Sequence, residues 1–416
     1  MRLQFPPALK NRRFFLLWSG LLISIAGSQM QLAAIHWHIR DLTGTPDPMA
    51  LGGIGLARIL PVIVFSMFGG AFADTFNRRT ILFVTQSIMA LSATGLALLT
   101  FFGHIQIWHI YALTAVQAAA VAFDGPARQA IVPNLVDPQD LPNAFSMNSI
   151  AMNTASVIGP VLSGVVIATL GQGYTYFFNA ISFLAVIFAL LSIGNIPQNL
   201  KKASGVSLGA MADGIRFIFS RKIILSTMIM DFFATFFASA NTMMPIVARD
   251  LLNVGEMGYG TLLSTLALGS VSAGLIVSQI NVIRKQGPVF LVSVIIFGLA
   301  TIAFGLSNTF MLALLSVFFI GASDAVSTII RNTIRQLQTP DHIRGRMISI
   351  NQIFFQGGPQ LGEVESGLVA SAFGVPFAIV SGGIGTIIAA IVITIKWPEL
   401  RTFEGSDPQA VAISAD

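Results

Sequence analysis

Residues 70–79 read Gly70-Ala-Phe-Ala-Asp74-Thr-Phe-Asn77-Arg78-Arg79, a short charged turn set between two long apolar runs, 50–72 and 81–102. Each run has about the 20 residues that a helix needs to cross the hydrocarbon core of a bilayer. Outward from this turn, apolar run and polar turn keep alternating along all 416 residues. Apolar residues make up 54% of the chain, against 23 bases and 18 acids, and mean hydropathy is +0.78. A soluble domain carries about 25% charged residues because its surface is wetted. Most of this chain is therefore kept from water. The lack of cysteine excludes a disulfide framework, a thiolate metal site and a cysteine nucleophile. The ten-residue alternation of membrane barrel strands is missing, so helices are the spanning elements.

Twelve runs qualify as spans 1 to 12: 14–39, 50–72, 81–102, 106–127, 143–170, 174–194, 223–248, 258–280, 288–306, 309–330, 347–372 and 375–395. The first is too long, and too close to a basic N-terminus, for a cleaved signal peptide. Twenty of the 23 bases lie before span 1 or after an even-numbered span; Arg331, Arg335, Arg344 and Arg346 are counted after span 10. Arg40 and Arg249 fall on the other side, and Arg58 falls inside span 2. Positive charge stays cytoplasmic, so both termini are expected inside. The net charge of +5 is then topology, and no nucleic-acid partner is expected.

The longest break divides the chain into an N-terminal six-helix bundle (1–196), a cytoplasmic linker (197–221) with a short amphipathic helix over Ser207–Ser220, and a C-terminal six-helix bundle with a short tail (222–416). The two bundles repeat. Asn11-Arg12-Arg13 and Arg40-Asp41-Leu42 flank span 1, and Ser220-Arg221-Lys222 and Arg249-Asp250-Leu251 flank span 7, both at an offset of 209. Gly159 and Gly164 match Gly362 and Gly367 at an offset of 203. Paired bundles of this kind are the layout of transporters whose halves rock about a midplane site.

The 70–79 turn resembles the G-x-L-A-D-R-x-G-R-K/R loop of the major facilitator superfamily, with Phe72, Thr75 and Asn77 as substitutions. Asn is the residue that best tolerates the left-handed turn a Gly would take there. The stretches Trp37–Gly44, Asp124-Gly-Pro-Ala-Arg128, Gly214-Ile-Arg-Phe217 and Gln360-Leu-Gly-Glu363 are similar to the branch that holds the enterobactin exporter and the macrolide efflux pumps. Thr114 and Ala118, around Gln117, stand where the drug–proton antiporters carry Arg and Gly. The resemblance implies export of small amphiphilic molecules, of drug or siderophore type, across a bacterial cytoplasmic (inner) membrane by proton antiport. The expected partners are membrane lipid, a small-molecule substrate and protons, for a monomer. Alternative readings are a lipid or lysophospholipid flippase of the same fold, proton-coupled uptake, and a sensor that binds without translocating. No Ser-His-Asp order, metal spacing or phosphate loop occurs, so no enzyme, cofactor or metal is expected.

Six ionisable residues lie within or at the ends of spans: Arg58, Asp124, Asp231, Asp324, Glu363 and Glu365. Each is costly unless paired or hydrated. At about 1.5 Å per residue, Arg58, Glu363 and Glu365 share an outer depth of roughly 10–13 Å. Spans 2 and 11 face each other in the superfamily fold, so Arg58 is expected to pair with Glu363, or else Glu365, as an outer gate. Gln356-Gly-Gly-Pro359 is expected to kink span 11 just before them. Asp231 and Asp324 lie about 9–12 Å from the inner face. By resemblance, spans 7 and 10 line the cavity, which makes the two acids a candidate proton and substrate site. Gly70, Asp74, Arg78, Asp124 and Arg128 form the candidate cytoplasmic loop motif and latch. Gln29, Gln117, Phe232 and Phe236 are candidate cavity-lining residues. Against each acid stands the plainer reading of a static packing pair, or a carboxylate bonded to neighbouring Ser or Thr. His36, Trp37 and His38 read as an interfacial belt.

Overall fold

The structure is a computed structural model that describes residues 6–196, 198, 216–280 and 283–404. The linker helix expected over Ser207–Ser220 lies outside these residues except for 216–220, which are helical. The side chains of Gly70, Asp74, Arg344 and Arg346 also lie outside the description.

The long helices are α1 (Arg12–Leu42), α2 (Pro48–Thr75), α3 (Arg78–Phe101), α4 (Ile107–Ile131), α5 (Leu141–Leu170), α6 (Gln172–Ile193), α7 (Lys222–Phe237), α8 (Gly255–Ser278), α9 (Gln286–Gly305), α10 (Phe310–Leu337), α11 (Asp341–Phe373) and α12 (Val375–Lys396). Eleven spans among the described residues are long and apolar enough to cross a membrane. The exception is α11, whose 33 residues include Asp341, Arg344, Arg346, Glu363 and Glu365. A twelfth crossing therefore rests on the length of α11, not on its hydropathy.

Two compact units form, 1–44 with 57–206 and 45–56 with 207–416. In the first, α1 packs on α5 and α6, and α3 packs on α4 and α6. In the second, α7 packs on α11 and α12, and α9 packs on α10 and α12. Each pairing recurs six helices later, as a parallel repeat requires. Close approach is made where side chains are smallest. Gly159 of α5 sits against the Ala26 carbonyl of α1, and Gly27 of α1 sits against Asn179 and Ser182 of α6. Residues 45–56, sequence neighbours of the first unit, group with the second. There Gly52 packs on Gly367, whose Cα would lie 3.0 Å from an added Cβ, and Gly55 packs on Gln360 and Glu363 of α11.

Two local features differ from the sequence expectation. Asn77 does not take a left-handed turn: its φ is −60°, and its side-chain oxygen accepts from the Arg79 and Thr80 amides as the N-cap of α3. An Asn carbonyl satisfies the unpaired amides of a helix start, which a Gly at this position would leave to water.

Span 7, read as one helix, is broken. After Phe237 the backbone leaves helical angles at Ala238 (φ −100°, ψ 45°). It resumes over Ala240–Ile246 and widens into a π-helix at Val247–Leu251. Pro245 lies inside the second segment, where it has no N–H to donate and crowds the preceding turn. The Ser239 hydroxyl donates to the Thr235 carbonyl at 3.0 Å, covering an acceptor near the break. By contrast α11 runs as one helix through Pro359.

Candidate functional site

The second unit carries a buried ionic cluster on α7 and α10. Asp231 is held from two directions, by Arg331 at 3.0 Å and by Arg335 at 3.4 Å. Arg331 also reaches Asp324 at 3.8 Å and donates to the Ser327 hydroxyl at 3.1 Å. Arg335 is also anchored by Thr227, donating through Nε to the hydroxyl (3.2 Å) and through Nη2 to the carbonyl (2.8 Å). The Asp231, Arg331 and Arg335 side chains are at most 4% exposed, whereas that of Asp324 is 49% exposed. Two acids and two guanidiniums thus balance in a largely dry setting, with one carboxylate open.

This arrangement corrects the sequence reading on one point. Arg331 and Arg335 do not lie beyond the end of the helix, as the apolar run ending at 330 suggests. They sit inside α10, which extends to Leu337, and they neutralise Asp231. Asp231 and Asp324 share one arginine, Arg331. Beside them, Phe232 and Phe236 stack at 5.9 Å between centroids, and Phe354 of α11 meets Phe232 edge-on at 6.3 Å. All three rings are half-buried.

In the first unit, Asp124 is fully buried. It accepts from Thr85 (3.1 Å) and Gln86 (2.8 Å) of α3 and pairs with Arg128 one turn on. Arg78 is not part of that group. It donates to Asn134 (2.9 Å) and to the Ala73 carbonyl (3.0 Å), clamping the loop after α2 to the end of α4. Arg79 donates to the Leu190 carbonyl near the end of α6 at 2.8 Å. Asp124 therefore ties α3 to α4 as a fully satisfied carboxylate. Asp124→Asn is expected to lower stability by about 2 kcal/mol, read as a lower Tm in detergent, with the pH dependence of transport unchanged.

Gln117 joins a chain of amides. Asn179 donates to Gln31 (2.7 Å), Gln31 to Gln117 (2.6 Å), and Gln117 to the Met89 carbonyl (3.3 Å). Four helices of the first unit are linked this way. Gln29 is half-buried and donates to Ser156 of α5 at 3.0 Å. His36, Trp37 and His38 do not form a belt: all three are buried, and His38 Nδ1 lies 2.9 Å from the Tyr176 hydroxyl. On α11, Glu363 is buried and Glu365 is half-buried. A Cβ at Gly55 would lie 2.9 Å from Glu363 Cβ, so Glu363 is on the side of α11 that meets residues 52–55. Arg58 is half-buried in α2.

The profile of the transmembrane secretion effector family matches residues 4–412. The staphyloferrin A transporter of Staphylococcus aureus is 24% identical over 90% of this chain and 94% of its own. The enterobactin exporter EntS of Citrobacter koseri is 25% identical over 82% of each chain. The multidrug efflux pump Tap of Mycolicibacterium fortuitum is 23% identical over 95% of this chain and 98% of its own. Among solved structures, a bacterial homolog of the human lysosomal transporter Spinster, inward-facing and unoccupied, superposes with a TM-score of 0.71 at 14% identity, covering 96% and 99% of the two chains. A POT family transporter in complex with 5-aminolevulinic acid gives 0.73 at 11% identity, covering 94% and 97%. At these identities the structural likeness speaks to the fold.

Proposed function

We propose, from the premise that this chain belongs to the transmembrane secretion effector family of the major facilitator superfamily, that it exports small amphiphilic molecules of drug or siderophore type by proton antiport with alternating access. The chain is a multi-pass membrane transporter and not an enzyme; the bacterial cytoplasmic membrane, the substrate class and the coupled proton are the proposed parts. The observation that supports antiport is the cluster of α7 and α10. Antiport needs a carboxyl that a proton and a substrate occupy in turn. Asp231 is a poor candidate, since two guanidiniums already occupy its carboxylate in a dry site. Asp324 is half-exposed and only loosely held by Arg331, at 3.8 Å, so it is the better carrier. The aromatic faces offer apolar area without demanding one substrate shape. Arg58 and Glu363 are proposed as outer-gate residues, with Glu365 second to Glu363.

The test is an efflux-deficient bacterial strain expressing the chain, challenged with a panel of siderophores and amphiphilic drugs at an acidic and an alkaline external pH. Export that rises with external acidity is expected, with Asp324→Asn removing that dependence and lowering export about tenfold or more. Uncoupler-insensitive export, or an Asp324→Asn protein with the unaltered pH response, overturns the reading.

A further inference from the structure

We infer that Arg335 is a positioning residue that sets, through Asp231 and Arg331, the pH at which Asp324 exchanges its proton. The inference deepens the antiport reading and rests on Asp324 being the carrier. Four contacts in series support it. Thr227 fixes the guanidinium of Arg335 with two hydrogen bonds. Arg335 occupies one oxygen of Asp231, and Arg331 lies against the other. Arg331 is thereby shared, close to Asp231 at 3.0 Å and looser on Asp324 at 3.8 Å. How firmly Arg331 serves Asp324 depends on how much of Asp231 is already neutralised by Arg335.

The surroundings leave few other charges to compete. Besides its neighbours in the cluster, Asp324 sees α8 and α9, which pack on α10. From Gly255 to Ser278 the ionisable side chains of α8 are Glu256 and Tyr259, both in its first turn or just past it, and α9 has none between Gln286 and Gly305. On α7 the remaining charged residue is Lys222, at its start and paired with Glu399 at 3.0 Å. Among the described residues, the charges set against Asp324 are Arg331 and, through it, Asp231 and Arg335.

Two opposite effects follow. Removing Arg335 takes away a positive charge and draws Arg331 onto Asp231, so Asp324 keeps its proton to higher pH. Removing the charge of Asp231 frees Arg331 for Asp324, so the proton leaves at lower pH. A purely structural role would not give opposite signs.

The experiment is an infrared titration of the full chain in liposomes without substrate, following the protonated-carboxyl band that Asp324→Asn abolishes. With Arg335→Gln the midpoint is expected about one pH unit higher. With Asp231→Asn it is expected lower, and Arg335→Lys should return it toward the wild-type value. Thr227→Val, which deletes only the hydroxyl under Arg335, should give a smaller shift of the Arg335→Gln sign and carries the test if Asp231→Asn does not fold. Midpoints that stay in place, or shift the same way in Arg335→Gln and Asp231→Asn, overturn the inference. A band that moves as stated in a protein whose export is insensitive to pH overturns antiport and Asp324 as its carrier, and leaves standing only the coupling of Arg335 to the Asp324 proton.

Discussion

Arg331→Met is expected to abolish export and to cost about 3–5 kcal/mol of folding stability, the range for removing one partner of a buried ion pair. The reason is geometric. Arg331 is 4% exposed and serves two carboxylates at once. Methionine fills a similar volume, so packing alone is little changed. The loss is electrostatic: Asp231 keeps Arg335 on one oxygen, and Asp324 loses its nearest cation, leaving two acids facing each other with one positive charge. In a medium of low effective dielectric that repulsion is not screened as it would be in water. Arg331→Lys retains the charge but not the planar fork that spans two acceptors, so it should recover stability and only part of the transport. Arg331→Met combined with Asp324→Asn should recover stability without recovering transport, because the unbalanced charge and the carrier are removed together. Thermal unfolding in detergent and export assays on the four proteins separate these terms. A wild-type Tm for Arg331→Met would mean that the cluster contributes nothing to holding α7 and α10 together.

The sequence made the helices legible because the signal is local and strong: a run of apolar residues about 20 long has few other uses. It also singled out Asp231 and Asp324, since an acid in such a run is conspicuous. It lost Arg331 and Arg335 for the same reason. The apolar run of span 10 ends at 330, where charge begins, whereas α10 continues to Leu337. Those charges are tolerated because Asp231, about a hundred residues earlier, and Asp324 balance them, and no run-length criterion sees a partner so distant as Asp231. His36 and His38 show the same limit. A Trp flanked by histidines at a span end suits an interface, but Tyr176 of α6 offers His38 a buried partner. The break in α7 left only Pro245 as a sequence mark, and the glycines that accommodate it lie more than a hundred residues away.

Those glycines lead to the second large effect: Gly362→Val should reduce export at least tenfold and destabilise the second unit by about 3 kcal/mol, at the upper end for overpacking a tight core. A Cβ at Gly362 would fall on the Phe236 carbonyl and the Ser239 hydroxyl, at the point where α7 breaks. The carbonyl is backbone, so relief requires α7 itself to move. It cannot retreat freely, because on another side the Phe237 carbonyl rests on Gly382 of α12. The Ser239 hydroxyl that covers the Thr235 carbonyl would be displaced as well. Any shift of this segment is transmitted along α7 to Asp231 and so to the ion cluster. A neighbouring position on the same helix is the control. At Gly357 the nearest atom to an added Cβ is a Phe232 ring carbon at 3.8 Å, an ordinary contact. Gly357→Ala should therefore keep transport and, by removing a flexible residue from a helix interior, gain up to about 1 kcal/mol of stability. Equal losses at Gly357 and Gly362 would point to a general intolerance of α11. Loss at Gly362 alone, accompanied by an altered pH profile of export, identifies the seating of the α7 break on α11 as the element that keeps Asp231, Arg331 and Asp324 in register.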